Sequence, residues 1–371
     1  MNVVVCGAGV IGASVAYYLT RHGLGPTLLE RTAVACAASG KSGGFLARDW
    51  CDGSALGPLA RASFALHREL AASFAENLAV DTGYRAVETL LVADGPRAGG
   101  NGGAGGWLDG RATVRGWLGT RESTAQVHPA RLTGALVDAA CAAGARLEIG
   151  ELTGVTIDGG RIRGVLVDGR PRPADAVVFA LGPWTRRLAS WMPVPPIVGL
   201  RGNSVVLRPA AEVPAQALFV ETADPAAGNI SPEVYPRPDG EVYVCGMADD
   251  LPFPDDPAAV APSEEACALL ARVAGNLSSV LADAPVVRRQ ACFRPLAPDG
   301  LPLLGPVEGV AGAYLATGHN CWGILNAPAS GAALAELIAT GESTLVDLSP
   351  YDPARFSRRL AGRGAGPYHR P

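Results

Sequence analysis

The residues of this chain with the most definite chemistry are three glycines and one acid near its start. Gly7-Ala8-Gly9-Val10-Ile11-Gly12 is a G-x-G-x-x-G, and Glu30 lies 18 residues beyond Gly12. Each glycine has a mechanical task in binding a dinucleotide. Gly7 allows a tight turn, Gly9 lets the backbone approach a pyrophosphate, and Gly12 lets a helix pack close to a strand. The pyrophosphate would rest on the N–H groups and positive dipole end of that helix. A carboxylate at the position of Glu30 can accept from a ribose hydroxyl, and it would repel a phosphate there. The ligand is therefore NAD-like or FAD-like rather than NADP-like.

Regular elements must hold these groups. Val3–Cys6 reads as a buried strand running into the glycines, Ala13–Arg21 as a helix closed by His22-Gly23, and Thr27–Leu29 as a second strand ending in Glu30. Cys36 to Ala47 is rich in small residues and suits a loop against which a bulky ligand lies. Helices are expected over Ala62–Leu78 and Ala130–Ala143, and strands over Thr89–Ala93, Arg146–Ile149, Leu152–Val155 and Arg161–Val167. Ala176–Leu181 reads as a buried strand ending in Gly182-Pro183-Trp184, with a helix beyond. From about Pro195 the pattern becomes that of antiparallel strands, at Gly202–Leu207, Ala217–Glu221, Val234-Tyr235 and Glu241–Met247. Pro236 to Gly240 makes a turn, and Ser263 is the expected N-cap of a helix reaching Asn276. Strand–turn–helix character returns with Ala313–Thr317, a loop at Gly318–Trp322 and a helix over Gly323–Thr340 stopped by Gly341. The stretch Gly95–Gly106 (GPRAGGNGGAGG) has glycines but no leading strand and no following helix, and reads as a surface loop.

Three segments, centred on Gly7, Gly182 and Gly318, share the form strand, small-residue turn, helix. Only the first has the full fingerprint, so no second site for a nicotinamide cofactor is evident. If the ligand is FAD, the electrons come from the substrate.

With 371 residues the chain can bury a sizeable core, in two domains. A net charge of −4 without a basic block or acidic tail argues against nucleic acid and an anionic membrane surface. The eight cysteines form no C-x-x-C and no zinc-spaced cluster with histidine, so no metal is expected, and their dispersal suggests a reducing, cytoplasmic setting. The first strand starts at once with no charged segment before it, so no signal peptide is expected. Residues 3–19 are apolar enough to imitate a membrane span, but the glycines and strand-like start favour the dinucleotide unit.

Several motifs spread over nearly the whole chain resemble the D-amino-acid oxidase / glycine oxidase / sarcosine oxidase family of FAD enzymes. They are VVVCGAGVIGASVAYYL…LLER at 3–31, QVHPARLTGALVDAACAAGARL at 126–147, ADAVVFALGPW at 174–184, YPRPDGEVYVCG at 235–246, CFRPLAPDGLPLLG at 292–305 and TGHNCWGILNAPASGAALAELI at 317–338. ASGKSGGFLARDWCDG at 38–53 further resembles a fungal and plant subgroup of FAD-dependent oxidoreductases. The resemblance implies an α/β fold: a Rossmann-type FAD-binding domain with an inserted mixed or antiparallel-sheet substrate domain, glycine oxidase-like. It implies a discontinuous FAD-binding domain over 1–90, 126–195 and 291–345, a substrate-binding domain over 91–125 and 196–290, and a tail over 346–371.

The same resemblance implies FAD with its adenosine at Glu30 and its pyrophosphate at Gly7, Gly9, Val10, Ile11 and Gly12. It puts Arg31, Ser39, Lys41, Ser42, Gly43 and Gly44 along the cofactor, Leu152 by the adenine, and Ala180, Gly182 and Trp184 near the ADP half. Gly318, His319, Gly323, Ile324 and Leu325 would line the flavin ring, where the N-terminus of the Gly323–Thr340 helix would stabilise negative charge arriving on the flavin. The alternative for Gly318 and Gly323 is plain strand and helix termination.

Arg294, in Cys292-Phe293-Arg294-Pro295, falls where members with amino-acid substrates place a carboxylate-binding arginine. Its planar fork matches two carboxylate oxygens. It could equally be a salt-bridging surface arginine. His319 either hydrogen-bonds flavin or substrate or is a satisfied interior imidazole. Lys41 either places a cation near the flavin, binds a phosphate or points to water. Tyr235 and Glu233 share a strand face by period-two alternation and could look into the active site or serve packing. Cys292 falls where sarcosine-oxidase-type members bond covalently to the flavin and glycine-oxidase-type members carry glycine. Nothing in the sequence marks a strong general base. The activity so implied is oxidation of the C–N bond of a small amine or amino acid by hydride transfer to flavin N5, with O2 or another acceptor. The alternatives are oxidation of a 2-hydroxy acid, with His319 as base, and a non-catalytic FAD-stabilised binding or trafficking protein.

Overall fold

The computed structural model describes residues 1–94, 106–249, 251 and 253–357. Of the loop expected over Gly95–Gly106 only Gly106 is among them, and of the 346–371 tail only residues 346–357. The chain forms two compact units. One comprises Met1–Val34, Leu136–Val198 and Pro295–Pro371, the other Ala35–Ala135 and Gly199–Arg294. Compactness thus groups residues 35–90 and 126–135 with the second unit, whereas the expected FAD-binding domain comprised 1–90, 126–195 and 291–345.

The first unit is built on a six-stranded sheet in the order Leu303–Pro306, Ala313–Thr317, Ala176–Phe179, Val3–Cys6, Thr27–Glu30, Arg146–Ile149. All neighbours are parallel except the first pair. Val3–Cys6 lies between two strands and is buried along its whole length, which is why its sequence shows no polar alternation. A fully buried valine or leucine contributes roughly 1.5–3 kcal/mol, so this short run anchors the sheet. The helix that follows spans Val10–Arg21 and packs on the Gly323–Thr340 helix. Their approach depends on Gly331, where a Cβ would fall 2.5 Å from Ser14 Cβ. That second helix ends at Gly341, in the left-handed region at φ 94°. A separate antiparallel sheet of Leu152–Asp158, Arg161–Val167 and Arg170–Pro173 belongs to the same unit. The helix expected beyond Trp184 is a 3-10 stretch, Gly182–Ser190, begun by a glycine at φ 54° and a proline.

The second unit carries an eight-stranded sheet in which Val198–Leu207, Val242–Asp249, Glu233–Pro236 and Gln216–Asp224 are successive antiparallel neighbours. Gln216–Asp224 then pairs parallel with Glu88–Asp94, making the sheet mixed. Val286–Leu296 lies at the far edge, beside Val198–Leu207. Alternation sorts the two faces. Val205, Leu207, Leu218, Val220, Val234, Val242 and Val244 bury against the Glu264–Leu277 helix. Val206, Ala217, Tyr235 and Tyr243 pack on the opposite face with Phe45, Phe219 and Cys245. Ser263 caps the helix, accepting from Ala266 N at 3.2 Å. The small-residue loop after the second strand holds one short helix, Ala38–Lys41. No helix among the described residues is long and apolar enough to cross a membrane.

Candidate active site

In the first unit the glycine fingerprint has the geometry its spacing requires. Gly7, at φ 105°, donates to Leu29 O at 2.7 Å, and Ala180 N donates to Cys6 O at 2.8 Å. A Cβ on Gly7 would lie 2.4 Å from Ala180 O, and one on Gly12 would lie 1.9 Å from Gly7 O. No side chain fits at either position. Gly9 is the N-cap of the helix, offers no side-chain cap, and is followed by no acid in the first turn. Glu30 turns back to this loop: Oε2 accepts from Ala8 N at 2.8 Å and Oε1 from Thr32 N at 3.0 Å. Gly7, Gly12, Glu30 and Ala180 are therefore one constellation. These are the properties a dinucleotide pyrophosphate and ribose require, a close backbone approach, an uncapped helix start and an acceptor at the second strand's end.

Gly182 is drawn to the neighbouring strand, its carbonyl accepting from Thr317 Oγ1 at 3.0 Å and Thr185 Oγ1 at 2.7 Å. Trp184 and Leu152 are buried. Arg31 is engaged with Glu151, 3.8 Å away, and Arg187 reaches the same carboxylate oxygen at 3.1 Å. Gly318 is left-handed at φ 81°, and the turn Asn320–Trp322 leads from it into the helix that starts at Gly323 and carries Ile324 and Leu325. His319 is 4% exposed. Its Nε2 meets Ser330 Oγ at 3.0 Å, while Nδ1 is buried without a partner. Burial pushes its pKa down to about 3, so the ring is neutral at ordinary pH and accepts protons poorly. Asn326, fully buried one turn into the helix, has neither amide atom satisfied, and Asn320 Oδ1 is also orphaned. Orphaned buried polar atoms carry a cost unless something meets them. Their grouping around the Gly318–Leu325 segment fits a polar ring system bound there. The sequence reading missed both asparagines, because a lone Asn has no spacing signal.

In the second unit the segment from Lys41 to Gly44 is stitched onto the sheet. Lys41 O accepts from Tyr243 OH at 2.9 Å and Gln290 Nε2 at 3.2 Å, and Ser42 O accepts from Arg237 Nη2 at 3.1 Å. Ser42 Oγ is buried without a partner. Gly43 lies on the Tyr235 ring, where a Cβ would come within 2.4 Å of Cδ2, and Gly44, at φ 83°, sits against Val127 O. Ser39 belongs to the short helix before them. Tyr235 stacks between Phe45 and Tyr243, at centroid distances of 5.4 and 6.3 Å. Its hydroxyl donates to Glu233 Oε2 at 2.6 Å, and Cys245 Sγ approaches the same oxygen at 3.5 Å.

Arg294 and Cys292, two apart on the edge strand, share a face. Arg294 Nε is buried without a partner, and among the described residues no carboxylate pairs with this guanidinium. Its charge reaches the thiols of Cys245 and Cys292. Burial dominates at Cys292, pushing the thiol up to about 11 against the opposing pull of Lys41 and Arg294.

His128, Asp239 and Glu241 place one potential ligand atom each within 4.8 Å of one another. Arginines already serve these acids. Asp239 accepts from Arg131 at 2.9 Å, and Glu241 from Arg208 at 2.6 Å, Arg237 at 3.5 Å and Arg288. Burial, Arg237 and Arg131 together push His128 down to about 4. The group is an ion-pair network fastening the 237–241 turn.

The chain is similar in sequence to several proteins and in structure to solved ones. A protein of Schizosaccharomyces pombe, C1F5.03c, named as an oxidoreductase without a stated substrate, is 30% identical over 95% of this chain and 97% of its own length. Glycine oxidase of Pseudomonas aeruginosa is 32% identical over 48% of this chain and 46% of its own length. For a further relative, from Saccharomyces cerevisiae, the match spans 34% of that protein. The solved structure of glycine oxidase from Bacillus cereus superimposes with a TM-score of 0.80 at 23% identity, covering 92% of this chain and 96% of that one. The model of the family DAO, FAD dependent oxidoreductase, matches residues 2–337. The protein belongs to that family and is an FAD-dependent oxidoreductase.

Proposed function

We propose that the protein oxidises the C–N bond of a small amino acid, with O2 as the final electron acceptor. Arg294 carries this reading: a permanent cation with a buried, unpartnered Nε and no carboxylate of the chain beside it. An arginine left in that state costs stability unless a ligand meets it, and a substrate carboxylate matches its fork. Bound FAD supplies the two-electron acceptor for the hydride leaving the carbon next to nitrogen. The chain's own residues then bind and orient. Gly7, Gly9, Val10, Ile11, Gly12 and Glu30 hold the ADP half, with Arg31, Leu152, Ala180, Gly182 and Trp184 beside it. Ser39, Lys41, Ser42, Gly43 and Gly44 run along the cofactor, Gly318, His319, Gly323, Ile324 and Leu325 line its ring, and Tyr235 closes the substrate face. A neutral amine uses its own lone pair to assist, so no strong base is needed. That agrees with His319, whose depressed pKa makes it a poor proton acceptor. Oxidation of a 2-hydroxy acid would need such an acceptor, and this disfavours it. The eight free cysteines favour a reducing compartment, which we take to be the cytoplasm.

An anaerobic bleaching screen of the purified yellow protein over amino acids, carboxylate-free amines and 2-hydroxy acids tests the reading. Amino acids should bleach the flavin fastest. Arg294→Ala should lower kcat/KM for them by roughly ten- to a hundredfold with normal FAD content, and Arg294→Lys should restore part of the loss. Preference for an amine without a carboxylate, or an unchanged kcat/KM in Arg294→Ala, overturns it.

A further inference from the structure

We propose that Glu233 receives the ammonium group of the substrate, which releases one proton to water before the hydride leaves, so that the second unit presents a cation and an anion matched to a zwitterion. The proposal rests on the reading of Arg294 as the carboxylate-binding residue, and it narrows the substrate class to amino acids with a primary or secondary ammonium. Glu233 lies opposite Cys245 in the strand register and shares a face with Tyr235. That is the sheet face turned away from the Glu264–Leu277 helix. The carboxylate is aimed: Oε2 accepts from Tyr235 OH at 2.6 Å and from Cys245 Sγ at 3.5 Å. Both donors are neutral, and both lie on the one oxygen. No lysine, arginine or histidine among the described residues forms an ion pair with Glu233.

Glu241, in the turn that joins the Glu233–Pro236 and Val242–Asp249 strands, is the contrasting acid. Glu241 is met by Arg208, Arg237 and Arg288. The chain therefore neutralises one partly or wholly buried acid three times over and leaves the other to neutral donors alone. Arg294 acts on the same Cys245 thiol and has no ion pair among the described residues; Lys41, also without one, acts on Cys292. Glu233 accepts a hydrogen bond from the Cys245 thiol and Arg294 acts on that thiol with the opposite sign, yet the two charges form no salt bridge with each other. Opposite charges in a half-buried setting that do not pair with each other form a receptor for a molecule with two charges. An ammonium at Glu233 and a carboxylate at Arg294 would satisfy both at once. Tyr235 then acts as a positioning residue, because its hydroxyl fixes the rotamer of the Glu233 carboxylate.

The test uses the FAD-loaded protein and three small probes, with binding read from the flavin absorbance change under anaerobic conditions. Glycine carries both charges, acetate only the carboxylate, and methylamine only the cation. Glu233→Gln retains an oxygen to accept from Tyr235 and removes the charge. It should weaken glycine and methylamine by roughly tenfold or more and leave acetate as tight or tighter. Glu233→Asp keeps the charge and should retain part of the methylamine affinity. Arg294→Ala should weaken glycine and acetate and spare methylamine. Equal affinity of wild type and Glu233→Gln for glycine and methylamine overturns the assignment of Glu233, whatever Arg294→Ala does. Failure of Arg294→Ala to weaken acetate overturns the carboxylate reading instead. Flavin-to-protein ratio and Tm equal to wild type exclude a folding defect as the cause.

Discussion

Removing the Glu30 carboxylate should loosen the cofactor and the loop that holds it, in separable amounts. Glu30 accepts from Ala8 N at 2.8 Å and Thr32 N at 3.0 Å, and the proposed ribose hydroxyl would be a third donor. A hydrogen bond to a charged group contributes about 1.5–3 kcal/mol. Loss of the ribose contact alone therefore raises the Kd for FAD roughly ten- to a hundredfold. Glu30→Ala also frees Ala8 N inside the glycine turn, next to Gly7, so the apoprotein should lose about 1–3 kcal/mol as well. Glu30→Gln separates the effects. Its amide oxygen can still accept from Ala8 N, so apoprotein stability should recover most of the loss while FAD binding stays weaker than in wild type. The assay is a fluorescence titration of apoprotein with FAD, run beside urea unfolding of the same samples. Full flavin occupancy with an unchanged Kd in Glu30→Ala would refute the assignment of the ribose to this carboxylate.

Other expectations follow from individual contacts. Gly12→Ala puts a Cβ 1.9 Å from Gly7 O, a backbone atom that cannot step aside, so the purified variant should carry little FAD, whereas Gly23→Ala, with nothing within 4 Å of the added carbon, should keep it. Gly43→Ala drives a methyl into the Tyr235 ring and should lower kcat/KM several-fold; unchanged kinetics would remove Tyr235 from the site. His319 is held near 3 in the fold against an ordinary 6.5, so as pH falls from 6.5 toward 3 the unfolded chain takes up a proton that the folded chain refuses, and stability declines. At about pH 5 the cost is on the order of 1–2 kcal/mol, and His319→Gln should flatten the fall in unfolding free energy between about pH 7 and pH 5. His128, held near 4, acts in the same direction and will leave a residual slope. With its thiol pushed up to about 11, Cys292 is a poor nucleophile, and acid precipitation should leave the flavin in the supernatant; flavin in the pellet would mean a covalent bond.

Local features of the chain were legible in the sequence. Val3–Cys6, the glycine turn and Glu30 are neighbours in sequence, and a strand–turn–helix–strand unit can be read because its groups are positioned by adjacent backbone. The Gly323–Thr340 helix and its glycine stop, and the Ser263 cap, are local for the same reason. The 3-10 form of Gly182–Ser190 was not legible, because Thr185 and Thr317 fasten the Gly182 carbonyl and Thr317 is far away in sequence. Nor was the fate of the charges. Arg208, Arg237, Arg288 and Arg294 look alike as letters, yet three join one ion-pair network on Glu241 and the fourth has no ion pair among the described residues, since only strand order and register decide which acid each can reach. The same holds for Glu233. Alternation puts it on a face with Tyr235, but pairing with the Val242–Asp249 strand sets it opposite Cys245, and no cation among the described residues forms an ion pair with it. Short-range spacing determined where a dinucleotide fits, and long-range pairing decided which charges remained free to meet a substrate.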